Sequence, residues 1–416
     1  MRKICSRILV GLTGIVLLCI QVIVPVMAAQ VDNDMVYPIA SNSISAWPQG
    51  PDIFSETAVV MDAETGTVLY DKGMNELRYP ASITKIMTAL LVLEKCGMDD
   101  QVIFTEVCLE DQAPDSSNAG MKVGEVLTVE QCLMVLMLKS ANDIATQLAV
   151  HTAGSVEAFA DMMNIRAQEL QCMNTHFVNA SGMPDENHYT TAYDMALIFK
   201  EAIKNEKFRE IIATQEYVLE PTNMNEETRN FRSHHEMVFE GSPFYYEGCF
   251  GGKTGGSSIS KNTLVSGAVR DGRTLIVVSM RTDIMSIWAD HQKLFDYGFQ
   301  NFQQVEVPGG VVTIPINTET DSLKTEEVGE NNSLQYYFET VKVGQGIKEE
   351  STPTEAPVTL EAEITPEKEK SEENQKESFL DNIKYGIYGL LMLNGLAVFL
   401  IVISVIKRKK KKRKDD

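Results

Sequence analysis

Positive charge is scarce in the body of this chain. Of its 416 residues, 37 are Lys or Arg against 58 Asp or Glu, a net charge of −21. The basic residues gather at the ends. Arg2, Lys3 and Arg7 carry +3, and Lys407 to Asp416, with eight basic and two acidic residues, carries +6, which leaves −30 on everything between. Phosphate binding needs Lys and Arg to displace counterions, so the balance argues for no nucleic acid partner. Cysteine is sparse as well. Cys5 and Cys19 fall in the N-terminal segment, and Cys96, Cys108, Cys132, Cys172 and Cys249 remain. Five cannot all pair and none shows C-x-x-C spacing, so they read as small buried apolar residues rather than a disulfide framework. The zinc pattern H-E-x-x-H is missing, and the pair His234-His235 has no third ligand at a recognisable spacing. We expect no metal and no cofactor. His176 and His188 are expected to structure the loop from Phe177 to Tyr193. No long internal repeat is present.

Long apolar runs occur only at the two ends. Basic residues precede the run Ile8 to Val26, and small residues follow at Ala28 and Ala29, the pattern of an export signal over residues 1–29. Near the other end, residues 385–406 form a stretch of 22 without a charge, long enough to span a hydrocarbon core. The basic run 407–416 follows it, and such flanks stay on the cytoplasmic side. The expectation is a single-pass protein of the cell membrane. Its catalytic body faces outward on a C-terminal transmembrane helix, and 407–416 is a cytoplasmic tail. Residues 349–384, rich in Glu, Lys, Pro and Thr, read as an acidic, extended linker.

Between these ends the pattern alternates between strand and helix. Residues 30–50 read as an irregular leader. Ala58 to Asp62 and Thr67 to Tyr70 flank a turn at Gly66, and Thr263 to Val269 and Thr274 to Ser279 flank an Asp-Gly turn; both are hairpin signals. Thr128 to Gln131 fits a capping box opening a helix over Cys132 to Leu138. Further helices are expected over Ile144 to Ala153, Val156 to Leu170, Thr191 to Lys204 and Ser286 to Phe299. Cys96 to Gly124 reads as a loop-rich connection. Strands at both ends with helices between predict an α+β domain over residues 50–300, an antiparallel sheet flanked by helices plus a helical subdomain. Residues 301–348 read as a small β-rich appendage, with strand candidates at Gly310 to Ile314 and Tyr336 to Val343.

Tyr79-Pro-Ala-Ser-Ile-Thr-Lys runs into an apolar helix. Ser82 and Lys85, three apart, lie on one helix face. A serine hydroxyl needs a base, and an amine one turn away can serve if its pKa is lowered. Two more short motifs follow in order, Ser140-Ala-Asn142 and Lys253-Thr254-Gly255, which start 58 and 113 residues further along in turn. With Asp or a small residue allowed in the middle of the second motif, this ordered trio resembles that of penicillin-binding proteins and class A β-lactamases.

The stretches Tyr79 to Leu90, Ser140 to Asp143, Asn174 to Asn179, Pro184 to Asp194 and Asp296 to Phe299 make the chain resemble the low-molecular-mass D-alanyl-D-alanine carboxypeptidases, serine peptidase family S11. The likeness covers about residues 55–300. It implies the β-lactamase/penicillin-binding (DD-peptidase) fold and removal of the terminal D-alanine from peptidoglycan stem pentapeptides. It also implies β-lactam antibiotics as covalent inhibitors of the same serine. By position it makes Ser82 the acylated nucleophile, Lys85 its base and Ser140 a proton relay. Asn142 would orient the peptide amide. Lys253 would supply charge for the substrate carboxylate and lower the pKa of Lys85. Thr254 offers a hydroxyl, and Gly255 allows close backbone approach. The oxyanion hole would combine the backbone N–H of Ser82 with one just after Gly255. Gly256 and Ser257 stand where the family commonly has a polar residue and a threonine, and Ser257 is expected to replace that hydroxyl. The acidic residue usual before the last motif is absent from Cys249 to Gly252. Two other readings compete: a β-lactamase-like hydrolase and a catalytically impaired penicillin-binding wall protein. The first would need a deacylating glutamate with an asparagine four residues later, and Glu169 has Met173 at that spacing.

Overall fold

Strand β1 (Thr57–Asp62) carries Ala58, Val59, Val60 and Met61 in succession, and every one of its residues is buried. Side chains alternate across a strand. Val59 and Met61 therefore enter one apolar core with the helices, while Ala58 and Val60 enter a second core on the opposite face. A sheet covered on both faces has no polar side to display, which is why this strand reads as a continuous apolar run. The computed structural model describes residues 31, 33–112, 116–328 and 333–347. The expected signal (1–29), linker (349–384), membrane segment (385–406) and tail (407–416) lie outside the described residues. No helix among the described residues is long and apolar enough to cross a membrane.

β1 pairs with β2 (Val68–Lys72), and α1 (Lys85–Lys95) follows a 3-10 turn, Ala81–Thr84. The short pair β3 (Gln101–Ile103) and β4 (Val126–Thr128) leads into α2 (Val129–Lys139), α3 (Asn142–Ala153) and α4 (Val156–Glu169). The capping box is present: Gln131 N–H donates to Thr128 Oγ1 at 3.2 Å, and Thr128 N–H to Gln131 Oε1 at 2.8 Å. Next come α5 (Ala192–Ala202), capped by Thr191, and α6 (Glu206–Ala213). A second short pair, β5 (Glu216–Leu219) and β6 (Arg229–Arg232), precedes three long strands: β7 (Cys249–Ser257), β8 (Lys261–Arg270) and β9 (Arg273–Thr282). β8 and β9 form the expected hairpin closed at Asp271-Gly272. The sheet order is β2-β1-β9-β8-β7, antiparallel throughout, so β7 is an edge strand. α7 (Ser286–Asn301) covers the second face, and its Ile287, Trp288, Leu294 and Phe295 belong to that core.

The appendage is more regular than its sequence. β10 (Phe302–Val307), β11 (Gly310–Pro315), β12 (Lys324–Glu327), β13 (Ser333–Phe338) and β14 (Val341–Ile347) form a second antiparallel sheet in the order β10-β11-β14-β13-β12. The stretch Tyr336 to Val343, read as one strand, is corrected: it folds back at Glu339, which takes φ 52°. The leader is corrected too, because it contains a 3-10 turn, Ala40–Ser43, and Trp47 is only 3% exposed. The Trp47 indole N–H donates to Leu69 O at 2.8 Å, and its ring lies 5.0 Å from Phe302 and 5.9 Å from Phe338, centroid to centroid. Truncating a buried ring of this kind costs about 3–5 kcal/mol. The appendage therefore shares the second core with α7 instead of standing apart. Cys108, Cys132 and Cys172 are buried, and Cys96 and Cys249 are half-buried.

Candidate active site

Ser82 lies in the 3-10 turn at the mouth of α1. Ala81 before it takes φ 51°, a left-handed conformation that costs a residue bearing Cβ. Two contacts hold this turn. Thr263 Oγ1 donates to Pro80 O at 2.8 Å. Gly182, at φ 84°, presses so close that a Cβ there would stand 1.9 Å from Ala81 O.

Lys85 is fully buried. Its Nζ lies 2.6 Å from Asn142 Oδ1, 2.5 Å from Ser181 O and 3.1 Å from Ser82 Oγ. Burial pushes its pKa well below the ordinary lysine value, the Lys253 charge adds to the fall, and Asp111 and Asp143 oppose it. Lys253 thus lowers the pKa of this base as expected, and removal from water is the larger cause. Lys253 is itself 1% exposed, and burial brings it down to about 7. Its Nζ donates to Ser140 Oγ at 3.0 Å and to Thr254 O at 2.8 Å. Ser140 ends α2 in a left-handed conformation, φ 63°, which turns it out of the helix.

Asn142 opens α3 beside Lys85. Its Oδ1 accepts from Lys85, and its Nδ2 donates to Ser116 Oγ at 2.9 Å. Both ends of the amide are engaged, and its oxygen positions the base. Gly255 does allow the expected close approach. A Cβ on it would stand 2.4 Å from Thr263 Oγ1 and 2.9 Å from Ser82 N, so only glycine lets β7 pass the nucleophile turn. Ser257 does not join the site. Its Oγ lies 2.8 Å from Ser260 Oγ and accepts from Ser260 N–H at 3.0 Å, inside the turn to β8. That turn consumes the hydroxyl expected to replace a threonine.

Ser82, Ser140, Thr254 and Gly255 line one cleft of about 310 Å³, which Ser117, His234, Ile284 and Trp288 help to enclose. A larger cavity of about 720 Å³, bordered by Arg232, Phe239 and Cys249, contains none of the motif residues. Chemistry, not size, marks the smaller one as the site.

Several supports have no motif to announce them. Asp143 accepts from Ala119 N–H and Met121 N–H, each at 3.0 Å, and so clamps the loop carrying Ser116 and Ser117. The available signal was its place right after Ser140-Ala-Asn142. Asn179 Oδ1 accepts from the N–H groups of Ser181, Gly182 and Met183 at 2.7–3.2 Å, which aims the Ser181 carbonyl at Lys85. His188 sits between Thr84 Oγ1 at 2.9 Å and Val178 N at 3.2 Å, and His176 Nδ1 lies 2.6 Å from Asn187 O, so both structure their loop as expected. Glu169 pairs with Arg166 on the surface. Among the described residues no group of three or more His, Cys, Asp or Glu is placed to hold a metal ion.

A serine facing a desolvated lysine, with a second serine–lysine pair across the cleft, defines a serine acyl-transfer enzyme on an α+β penicillin-binding fold. The peptidase S11 family model, described as D-alanyl-D-alanine carboxypeptidase, matches residues 44–283. The D-alanyl-D-alanine carboxypeptidase DacF of Bacillus subtilis is 32% identical over 255 residues, 60% of this chain and 63% of that protein. A Streptomyces D-alanyl-D-alanine carboxypeptidase is 32% identical over 275 residues, 63% of this chain and 94% of its own length. The crystal structure of a Streptomyces DD-transpeptidase superposes with a TM-score of 0.57 at 31% identity, covering 61% of this chain and all of that one. The chain belongs to the D-alanyl-D-alanine carboxypeptidase family of serine peptidases.

Proposed function

We propose that this protein is a serine-type D-alanyl-D-alanine carboxypeptidase that removes the terminal D-alanine of peptidoglycan stem pentapeptides through an acyl-enzyme on Ser82. One observation carries the reading. A neutral lysine amine has two N–H bonds and one lone pair. Lys85 finds acceptors for both protons at Asn142 Oδ1 and Ser181 O, which leaves the lone pair for Ser82 Oγ, 3.1 Å away. The Ser82 proton passes to Lys85 as Oγ bonds to the penultimate D-alanine carbonyl. The oxyanion is received by the Ser82 N–H and an N–H just after Gly255, usually a large term in catalysis. As the peptide bond breaks, Ser140 hands its proton to the leaving amine and takes in its place the proton held by Lys85, which is neutral again, while Lys253 supports Ser140 from behind. Water then hydrolyses the ester, with Lys85 again as base.

Penicillins enter the same path and stop at the ester. A β-lactamase would need a deacylating carboxylate in the cleft, and Glu169 is instead paired on the surface. A non-catalytic wall protein would have no use for the desolvated lysine. The test is D-alanine release from a D-Ala-D-Ala-terminated pentapeptide, together with labelling by a fluorescent penicillin. Both are expected with the native protein and neither with Ser82→Ala; undiminished labelling of the variant would falsify the nucleophile assignment.

We also propose that the body faces outward from the cell membrane, tethered by residues 385–406, on the strength of that apolar stretch and its basic flank. Protease added to intact cells is expected to shed a fragment ending within 349–378. A protected body, with cleavage of a tag placed after Asp416, reverses the orientation.

A further inference from the structure

The His234-His235 pair takes no part in these steps. His235 is in extended backbone, where successive side chains point to opposite sides. It is 2% exposed, whereas His234 is exposed and lines the cleft. His235 Nε2 lies 2.8 Å from Ser266 Oγ, Ser266 Oγ lies 3.0 Å from His291 Nδ1, and His291 Nε2 lies 2.8 Å from Ser279 Oγ. The Trp288 ring stands nearly perpendicular to His235 at 5.8 Å. This buried chain of hydroxyls and imidazoles, reaching from α7 to β8 and β9, pins the backbone that presents His234.

A peptide carboxylate entering the cleft leaves water and needs donors in return. The cleft wall has few to spare. Ser117 Oγ donates to Lys139 O at 2.7 Å, and Asn262 Nδ2 to Thr282 O at 3.0 Å. Lys253 is buried and turned to Ser140 and Thr254 O. Among the described residues, neither ring nitrogen of His234 nor the Thr254 hydroxyl has a hydrogen-bond partner. Of the residues lining the cleft, His234 alone can carry a positive charge.

We propose that His234, together with the Thr254 hydroxyl, receives the C-terminal carboxylate of the substrate. This rests on the carboxypeptidase reading and assigns the carboxylate a second partner besides the buried Lys253. Partial burial and then the charges of Lys253, Lys139 and Arg232 hold the ring below the ordinary histidine range, and Glu236 opposes them. A bound anion favours the protonated ring, so carboxylate and proton reinforce one another.

The test is equilibrium binding to the full-length, detergent-solubilised protein carrying Ser82→Ala, alone and combined with His234→Ala or His234→Arg. The probes are an N-acylated peptide ending in D-Ala-D-Ala and the same peptide with a C-terminal amide. His234→Ala is expected to weaken the carboxylate peptide about tenfold, as for loss of one charge-assisted hydrogen bond, and to leave the amide within about twofold. His234→Arg is expected to restore the preference for the carboxylate. With Ser82 intact, His234→Ala raises KM and leaves kcat in place. Equal weakening of both peptides, no weakening of either, or no carboxylate preference at the start overturns the proposal. Release of D-alanine by the Ser82-intact protein is scored separately: its absence overturns the carboxypeptidase reading, whereas the ratio of the two affinities reports on His234.

Discussion

The two walls of the cleft are built differently. On the helical wall Lys85 is 0% exposed and Ser140 and Asn142 are 5% each, and every polar end has a partner. On the strand wall the chain runs Thr254, Gly255, Gly256, Ser257, half-buried to exposed, with side chains few or turned away. The contrast follows from the tasks. A lysine becomes a base only when water is removed from it, so the chemistry needs a sealed wall. A peptide must reach that base, so recognition needs an open one. Two of the departures from the family pattern, Gly256 and Ser257, fall on the open wall, and the sealed wall keeps Lys85, Ser140 and Asn142.

The largest expected effect breaks the sealed wall. Lys85→Met keeps the volume and the dryness but removes the lone pair. Penicillin acylation should fall by about 10²–10⁴-fold at every pH. A small loss in single-turnover labelling would mean that the buried amine is not the base.

Lys253→Met separates burial from charge, because it leaves the surroundings of Lys85 dry. Only neutral Lys85 accepts the proton, so acylation rises with pH through the pKa of Lys85. Removing a neighbouring ammonium raises that pKa, and the acidic limb of the pH–rate profile should move to higher pH. Since burial leads Lys253 in lowering it, the limb should still lie well below a free lysine, near 10.4. A limb that stays or moves down removes Lys253 from the tuning; one that climbs to the free value makes Lys253 its main cause.

The smallest effect belongs to the open wall. Ser257→Ala loses hydrogen bonds within the turn, so kcat/KM should change by less than about twofold and the melting temperature by a little. A fall of about tenfold in peptide turnover, as for loss of a substrate hydrogen bond, would return Ser257 to the site.

The parts of this molecule that could be read from residues alone are those where one physical demand writes a local pattern. β1 and β9 are covered on both faces and write apolar runs; Thr128 and Gln131 cap a helix and sit three apart. β12 is exposed at all four residues, so no burial demand writes an apolar pattern into it, and the turn at Glu339 uses neither glycine nor asparagine. In the site, Ser82 and Lys85 were legible because one helical turn joins them. The Ser181 carbonyl was not. It is a backbone group, identical in every residue, brought to Lys85 from 96 positions away. Ser257 misled because a hydroxyl in the right place along the chain says nothing of which way the turn points it.

The loop from Asn179 to Met183 grips the nucleophile's helix at three heights. Ala180 O accepts from Thr88 Oγ1 at 2.7 Å, Ser181 O from Lys85, and Gly182 backs Ala81. The base and the nucleophile are thus fastened to a single part. A displacement of about 1 Å can cost such a site about 10²-fold, and here it would misplace both partners together. The enzyme has no half-aligned condition along this coordinate. Slackening one short loop would silence it with every catalytic side chain still in the chain.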